Sequence, residues 1–209
     1  MRLRITFAKT EEMRYTGHLD LHRALERIFR RAGLPIAYSQ GFHPQPRINL
    51  ASALPLGFTS QAEVADIWLE ETLPLAQVSE ALIQALPPGL TLLDASDVEM
   101  SAPSLQTQVV ASEYIVTLLD PVEKLDERLK EVVNATSLPR ERRGKTYDLR
   151  PLIEEVVRIS DDEQGRACLK MHLTAQEGAT GRPEEVLNAL DIAPEAARVH
   201  RNRLYFQIQ

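Results

Sequence analysis

Residues 17–57 read GHLDLHRALERIFRRAGLPIAYSQGFHPQPRINLASALPLG, and their punctuation decides the fold. Leu21, Ala24, Leu25, Ile28, Phe29 and Ala32 recur at three- and four-residue steps, the spacing of an amphipathic helix. Gly33 supplies the C-terminal stop. Asp20, Arg23, Arg27, Arg30 and Arg31 fall on the polar side of this helix. Pro35 bars its continuation, Ile36-Ala37-Tyr38 reads as the start of a strand, and Gly41, Pro44 and Pro46 mark a turn region. Extended structure resumes at Ile48-Asn49-Leu50-Ala51.

Outward from this stretch, the order of elements becomes clear. Arg2-Leu3-Arg4-Ile5-Thr6-Phe7-Ala8-Lys9 alternates with period two, a half-buried strand whose Leu3, Ile5 and Phe7 face the core. Residues 64–70 form a strand beside the one before it. Val78, Leu82, Ile83 and Leu86 follow as a helix, Pro87-Pro88-Gly89 stops it, and residues 90–95 close as a strand. The same βαββαβ order returns further on. Residues 113–118 read as a strand, and Leu125, Leu129, Val132 and Val133 as a helix. Extended segments at 148–159 and 166–174 flank a hairpin turn at 161–165, a short helix begins at Pro183, and residues 203–208 end as a strand. The pattern predicts an α+β protein of two ferredoxin-like βαββαβ domains in tandem, with antiparallel sheets and helices on one face. Residues 1–100 form the first domain, 101–108 a linker and 109–209 the second; a single larger α+β domain is the alternative.

Charge is unevenly spread. The formal net charge is −6, yet residues 1–50 hold nine Lys and Arg against four Asp and Glu, whereas residues 51–135 hold three against fourteen. Arg140, Arg142, Arg143 and Lys145 form a second basic island around Gly144, expected in a loop that either extends the basic footprint across both domains or is a flexible, solvated loop with no ligand. Overall acidity argues against indiscriminate nucleic-acid binding, while a local basic face remains available for it. No apolar run approaches the length of a membrane span, so the expectation is a cytoplasmic protein without a membrane partner. The single cysteine, Cys168, lies in an alternating run and reads as a buried strand residue.

Candidate binding residues cluster in the opening stretch. Arg23, Arg27 and Arg30 share a helix face and can meet successive phosphates, with Arg31 and Arg47 nearby; the plainer alternative pairs Asp20 with Arg23 and Glu26 with Arg30 at the surface. Tyr38 and Phe42 flank Ser39-Gln40-Gly41 and can stack an unpaired base, with His43 adding a polar head, or they can simply anchor a tight turn. His18 and His22 stand one helical turn apart, with His43 in the next loop. Too few further ligands accompany them for a metal site, so no metal is assigned. His18 and His43 also have the chemistry of a general acid or base.

His18-Leu19-Asp20-Leu21, Glu26-Arg27, Arg30-Arg31-Ala32-Gly33-Leu34-Pro35 and Tyr38-Ser39-Gln40-Gly41-Phe42-His43-Pro44 with Pro46-Arg47-Ile48 together resemble an uncharacterised bacterial family of radical-SAM-linked proteins, a domain of unknown function. The segment GKTYDLRPLI, residues 144–153, is similar to a second landmark of that family. Members occur alone or fused behind a radical SAM domain, and are encoded near a ribonuclease of the E/G type and ribosomal protein genes. The resemblance implies a separately encoded radical SAM protein as partner and assigns no reaction. No Cys-x3-Cys-x2-Cys run is present to ligate an iron–sulfur cluster, so no cofactor is expected.

Three functions follow as expectations. The first is a non-catalytic accessory module that binds ribosomal or transfer RNA through Arg23, Arg27, Arg30, Arg31, Tyr38, Ser39, Gln40, Gly41, Phe42, His43 and Arg47, with Lys145 and Arg150 extending the track. The second is a protein-docking module for a radical SAM enzyme. The third is a metal-independent RNA-processing enzyme using His18 or His43, an architecture-level likeness to the repeat-associated RNA-processing proteins of CRISPR systems.

Overall fold

Alternation in the first nine residues produces β1 (Arg2–Lys9), whose Leu3, Ile5 and Phe7 are buried as expected. The computed structural model describes residues 1–142 and 144–207, and the chain divides into two units, Met1–Gln108 and Val109–Gln209. It is a mixed α+β protein built on antiparallel strands.

In the first unit, β1 is followed by a 3-10 turn at Glu11–Met13, α1 (His18–Arg31), β2 (Ile48–Leu50), β3 (Thr59–Trp68), α2 (Leu75–Ala85), β4 (Leu90–Val98) and the short α3 (Leu105–Gln108). The strands lie in the order β4-β1-β3-β2, every neighbour antiparallel. Leu21, Leu25, Ile28 and Phe29 of α1 and Val78, Leu82 and Ala85 of α2 enter one core with Leu3, Ile5 and Phe7. Each large apolar side chain withdrawn in this way contributes about 1.5–3 kcal/mol. Ile83, expected on the buried face of α2, points to solvent, because it lies about 140° around the helix from Val78. Residues 101–108, read as a linker, carry α3, whose Leu105 is buried.

The opposite face of β1 is also closed off. Arg2 is 1% exposed; its guanidinium donates to Asp66 Oδ2 at 2.7 and 3.0 Å and to the Pro103 carbonyl at 2.8 Å. It also donates to the Ala102 carbonyl and stands 5.0 Å from the centroid of the Trp68 ring. Arg4 takes the other oxygen of Asp66 at 2.7 Å. The segment 102–103 is thereby tied to the first strand.

The second unit runs β5 (Val109–Leu118), α4 (Leu125–Asn134), β6 (Pro139–Arg142), β7 (Lys145–Asp148), β8 (Ile153–Ile159), β9 (Cys168–Gln176), β10 (Ala179–Thr180), α5 (Pro183–Ala189) and β11 (Ala197–Phe206). Its main ladder is β11-β5-β9-β8, again antiparallel throughout, with β10 paired to the end of β9. Cys168 is buried, its sulfur 3.6 Å from Thr117 Oγ1. The closing strand starts at Ala197, earlier than expected, and Ile208 lies outside the described residues.

The basic island was expected in a loop and instead forms the β6–β7 hairpin, with Arg142 opposite Lys145. One carboxylate locks it: Asp148 Oδ1 accepts the amides of Leu138 at 2.7 Å and Arg150 at 2.9 Å. Its alternating charges conceal a ladder, because neither face of this hairpin is apolar enough to show the strand period.

Candidate nucleic-acid interface

α1 turns its apolar stripe inward, which leaves Arg23, Arg27, Arg30 and Arg31 exposed. Both surface pairs form: Asp20 with Arg23 at 3.5 Å and Glu26 with Arg30 at 2.7 Å. Such exposed pairs are worth about 0.3–0.5 kcal/mol each and hold little charge in place. Arg27 and Arg31 have no ion-pair partner among the described residues.

After Gly33 and Pro35 the chain does not form the expected strand at residues 36–38. Ile36 bridges to Leu69 and Tyr38 to Pro46, single ladder rungs that pinch the chain into a loop. Ser39 closes it twice: its amide donates to the Gln45 carbonyl at 2.8 Å, and its hydroxyl accepts the Gln45 amide at 2.9 Å. One rung below, the Arg47 amide donates to Ala37 at 2.9 Å. Residues 39–45 therefore stand as an exposed tip on a bonded stem, with Gly41 at φ +127° making the turn, as read from the sequence. Phe42 at the tip is fully exposed, an apolar ring that folding leaves unused.

Arg30 joins helix and loop. The nearby Tyr38 side chain, and then the Glu26 carboxylate, push its guanidinium above the ordinary value. Arg47 stands 4.7 Å from the centroid of the Trp68 ring, so its charge is held at the base of the loop. Arg27 and Arg30 are thus exposed on α1, Tyr38, Gln40, Phe42 and His43 are exposed in the loop that follows it, and Ser39 belongs to the stem.

The histidines part company. His22 sets a ring nitrogen 3.2 Å from the Ile48 carbonyl and serves the packing of α1 on β2. His18 is half-buried at the first residue of α1, whereas His43 is exposed in the tip. Among the described residues, no group of three or more His, Cys, Asp or Glu side chains is placed to hold a metal ion. Among those residues, too, no helix is long and apolar enough to cross a membrane.

Lys145 and Arg150 belong to the second unit and have different fates. Arg150 donates to the Val133 carbonyl at 2.9 and 3.2 Å and to Ile153 at 3.0 Å, capping the end of α4. Lys145 instead lines a groove with Arg142, Tyr147 and Arg182. Arg143 lies outside the described residues. Arg182 escapes a reading of the sequence because almost forty residues separate it from the island; its one signal is a lone arginine between Gly181 and Pro183 at a helix start.

Comparison with known proteins places this architecture. The chain is similar to a chain of a Cbf5–Nop10–Gar1 complex, with a TM-score of 0.52 at 10% identity, covering 97% of this chain and 48% of that one. It is also similar to a chain of an archaeal box H/ACA sRNP Nop10–Cbf5 complex, with a TM-score of 0.47 at 11% identity over 99% and 49% of the two chains. A third likeness is to an H/ACA RNP bound to a substrate RNA containing 2′-deoxyuridine, with a TM-score of 0.46 at 9% identity over 95% and 47%. The chain therefore spans about half the length of these solved chains, and the first likeness is one of fold alone. No curated protein matches it. Residues 2–183 match the family described as "Uncharacterized protein conserved in bacteria (DUF2344)", and the chain belongs to that family.

Proposed function

We propose that the chain is a non-catalytic RNA-binding accessory module of a radical SAM system, whose first unit holds a single-stranded segment of ribosomal or transfer RNA for a separately encoded radical SAM enzyme. The observation that carries this reading is the pre-closed tip at residues 39–45, with Phe42 fully exposed on it, in the same unit as the exposed Arg27 and Arg31 of α1, which have no ion-pair partner among the described residues. Single-stranded RNA is bound by this combination: cations track the backbone while an aromatic ring stacks a base in any sequence context. A tip already ordered in the free protein adds little ordering cost on binding. In this account Arg23, Arg27 and Arg31 meet phosphates, Arg47 adds charge at the loop base, and Tyr38, Gln40, Phe42 and His43 address a base. The strand order within each unit, in which the first strand lies between the third and the fourth, supports reading the two units as ferredoxin-like.

Filter binding across a salt series, with total cellular RNA as the competitor pool, tests the proposal. Affinity should fall steeply with salt, and the slope should flatten in a variant carrying Arg27→Ala and Arg31→Ala. A protein that retains no RNA at low salt excludes the reading. A second reading, a protein-docking module, is favoured by the exposed Tyr15, Leu19 and Leu56. Co-purification with a radical SAM enzyme after nuclease treatment, without any RNA affinity, selects it.

A further inference from the structure

The second unit sets three cations around one groove, none of them in an ion pair among the described residues. Arg142 and Lys145 of the β6–β7 hairpin and Arg182 ahead of α5 line a space of about 600 Å³, together with Tyr147, Asp148, Leu152 and Thr180. This lies within the usual size range of small-molecule sites. Among the described residues, none of the three cations has a carboxylate within ion-pair distance. Asp148 directs Oδ1 to the amides of Leu138 and Arg150 and leaves one negative charge in the groove against three positive ones. Glu185 pairs with Arg140 at 3.8 Å, and it and Glu184 act on Arg182 only at longer range.

Backbone packing prevents Arg182 from leaving. The Gly181 amide donates to the Thr174 carbonyl at 2.8 Å, and a Cβ at position 181 would stand 2.7 Å from the Leu152 carbonyl oxygen. Arg182 is therefore half-buried, and burial, followed by the charge of Arg142, pulls its guanidinium below the ordinary value. Tyr147 moves the other way: burial, then Glu185, raises its phenol, so it stays protonated and able to donate at neutral pH. Like charges gathered in a partly desolvated groove are unfavourable until an anion joins them.

We propose that this groove binds a phosphate group, with Arg182 and Arg142 as forked donors, Lys145 as a point charge and Tyr147 as a hydroxyl donor. A nucleotide phosphomonoester and an RNA phosphodiester share this chemistry. The site is independent of the RNA surface in the first unit, and its test is separable from that one. Calorimetry and thermal unfolding of the full chain at constant ionic strength, with chloride replaced in turn by inorganic phosphate, adenosine monophosphate and a six-nucleotide RNA, read it directly. Phosphate should bind and raise the unfolding temperature. Arg182→Gln should weaken that binding at least tenfold, Lys145→Gln about threefold, and Arg27→Ala with Arg31→Ala not at all. Tighter binding of the monophosphate identifies a nucleotide, whereas tighter binding of the hexanucleotide that persists in the Arg27→Ala, Arg31→Ala chain and is lost with Arg182→Gln identifies a strand. Should Arg182→Gln fail to fold, the double change of the exposed Arg142 and Lys145 to Gln carries the same tenfold expectation. No binding of any probe to the unaltered chain, or undiminished binding in the altered ones, overturns the proposal.

Discussion

Arg2 in the first unit and Arg182 in the second are both withdrawn from water, and their surroundings could hardly differ more. Arg2 spends its guanidinium on Asp66, two backbone carbonyls and the face of Trp68. Arg182 shares a groove with Arg142 and Lys145, where one carboxylate, Asp148, stands against three cations and forms an ion pair with none of them. A buried charge with every donor answered is part of the scaffold; one that meets its own kind is a vacancy in the electrostatics that a ligand can fill. The contrast separates two arginines that a charge count would treat alike.

The sharpest way to break the comparison is to unmake Arg2's surroundings. Asp66→Ala leaves Arg2 and Arg4 without their acid, and should cost about 3–5 kcal/mol in urea unfolding, because an uncompensated charge stays buried. Arg182→Gln removes a cation that has no ion-pair partner among the described residues, and should leave stability within about 0.5 kcal/mol in the same measurement. If the two losses were equal, the distinction would collapse.

The exposed surface of the first unit gives the next effects. Phe42→Ala should weaken single-stranded RNA binding by about 1–3 kcal/mol, as expected for a lost base stack, with the unfolding midpoint unchanged. Arg27→Ala with Arg31→Ala should lower the slope of log affinity against log salt by about 2, with the loss spread evenly over RNA sequences. The smallest effect concerns pH. The amides of Leu138 and Arg150 hold the Asp148 carboxyl below its ordinary value. Its contribution to the hairpin is therefore complete above the ordinary carboxylate range, and is lost as pH falls through the lowered value. Amide exchange at Leu138 and Arg150 should quicken on acidification, and Asp148→Asn should remove that dependence.

Much of this was legible in the residues. The period of α1, its stop at Gly33, the alternation of β1 and the order of the main strands and helices come from local pattern, since each of these elements buries one face and shows it; α3, the β6–β7 hairpin and β10 do not. What stayed hidden depends on residues far apart in the chain. A strand pattern assigns Arg2 to solvent, and only the arrival of Asp66 and the 102–103 carbonyls makes its burial tolerable. The one local hint is Asp66 itself, an acid inside the apolar run Val64-Ala65-Asp66-Ile67-Trp68. In the candidate interface the arginines and Phe42 could be named from sequence. That Ser39 belongs to the stem, and that Arg150 caps α4, could not, because a hydrogen bond to a backbone carbonyl leaves no trace in composition. The groove of the second unit lay deeper still, since Arg182 meets the hairpin only after β9 and β10 have turned the chain back.

The tie between Arg2 and the carbonyls of Ala102 and Pro103 also orders events in time. β1 is a central strand, and both of its neighbours, β3 and β4, follow it by more than fifty residues. On a ribosome adding about 5–20 residues per second, the first strand emerges long before anything can pair with it, and its arginine is satisfied only after residue 103 has cleared the exit tunnel. A nascent chain arrested before that point leaves Arg2 without its carbonyl acceptors, and should be more open to protease than one arrested beyond it.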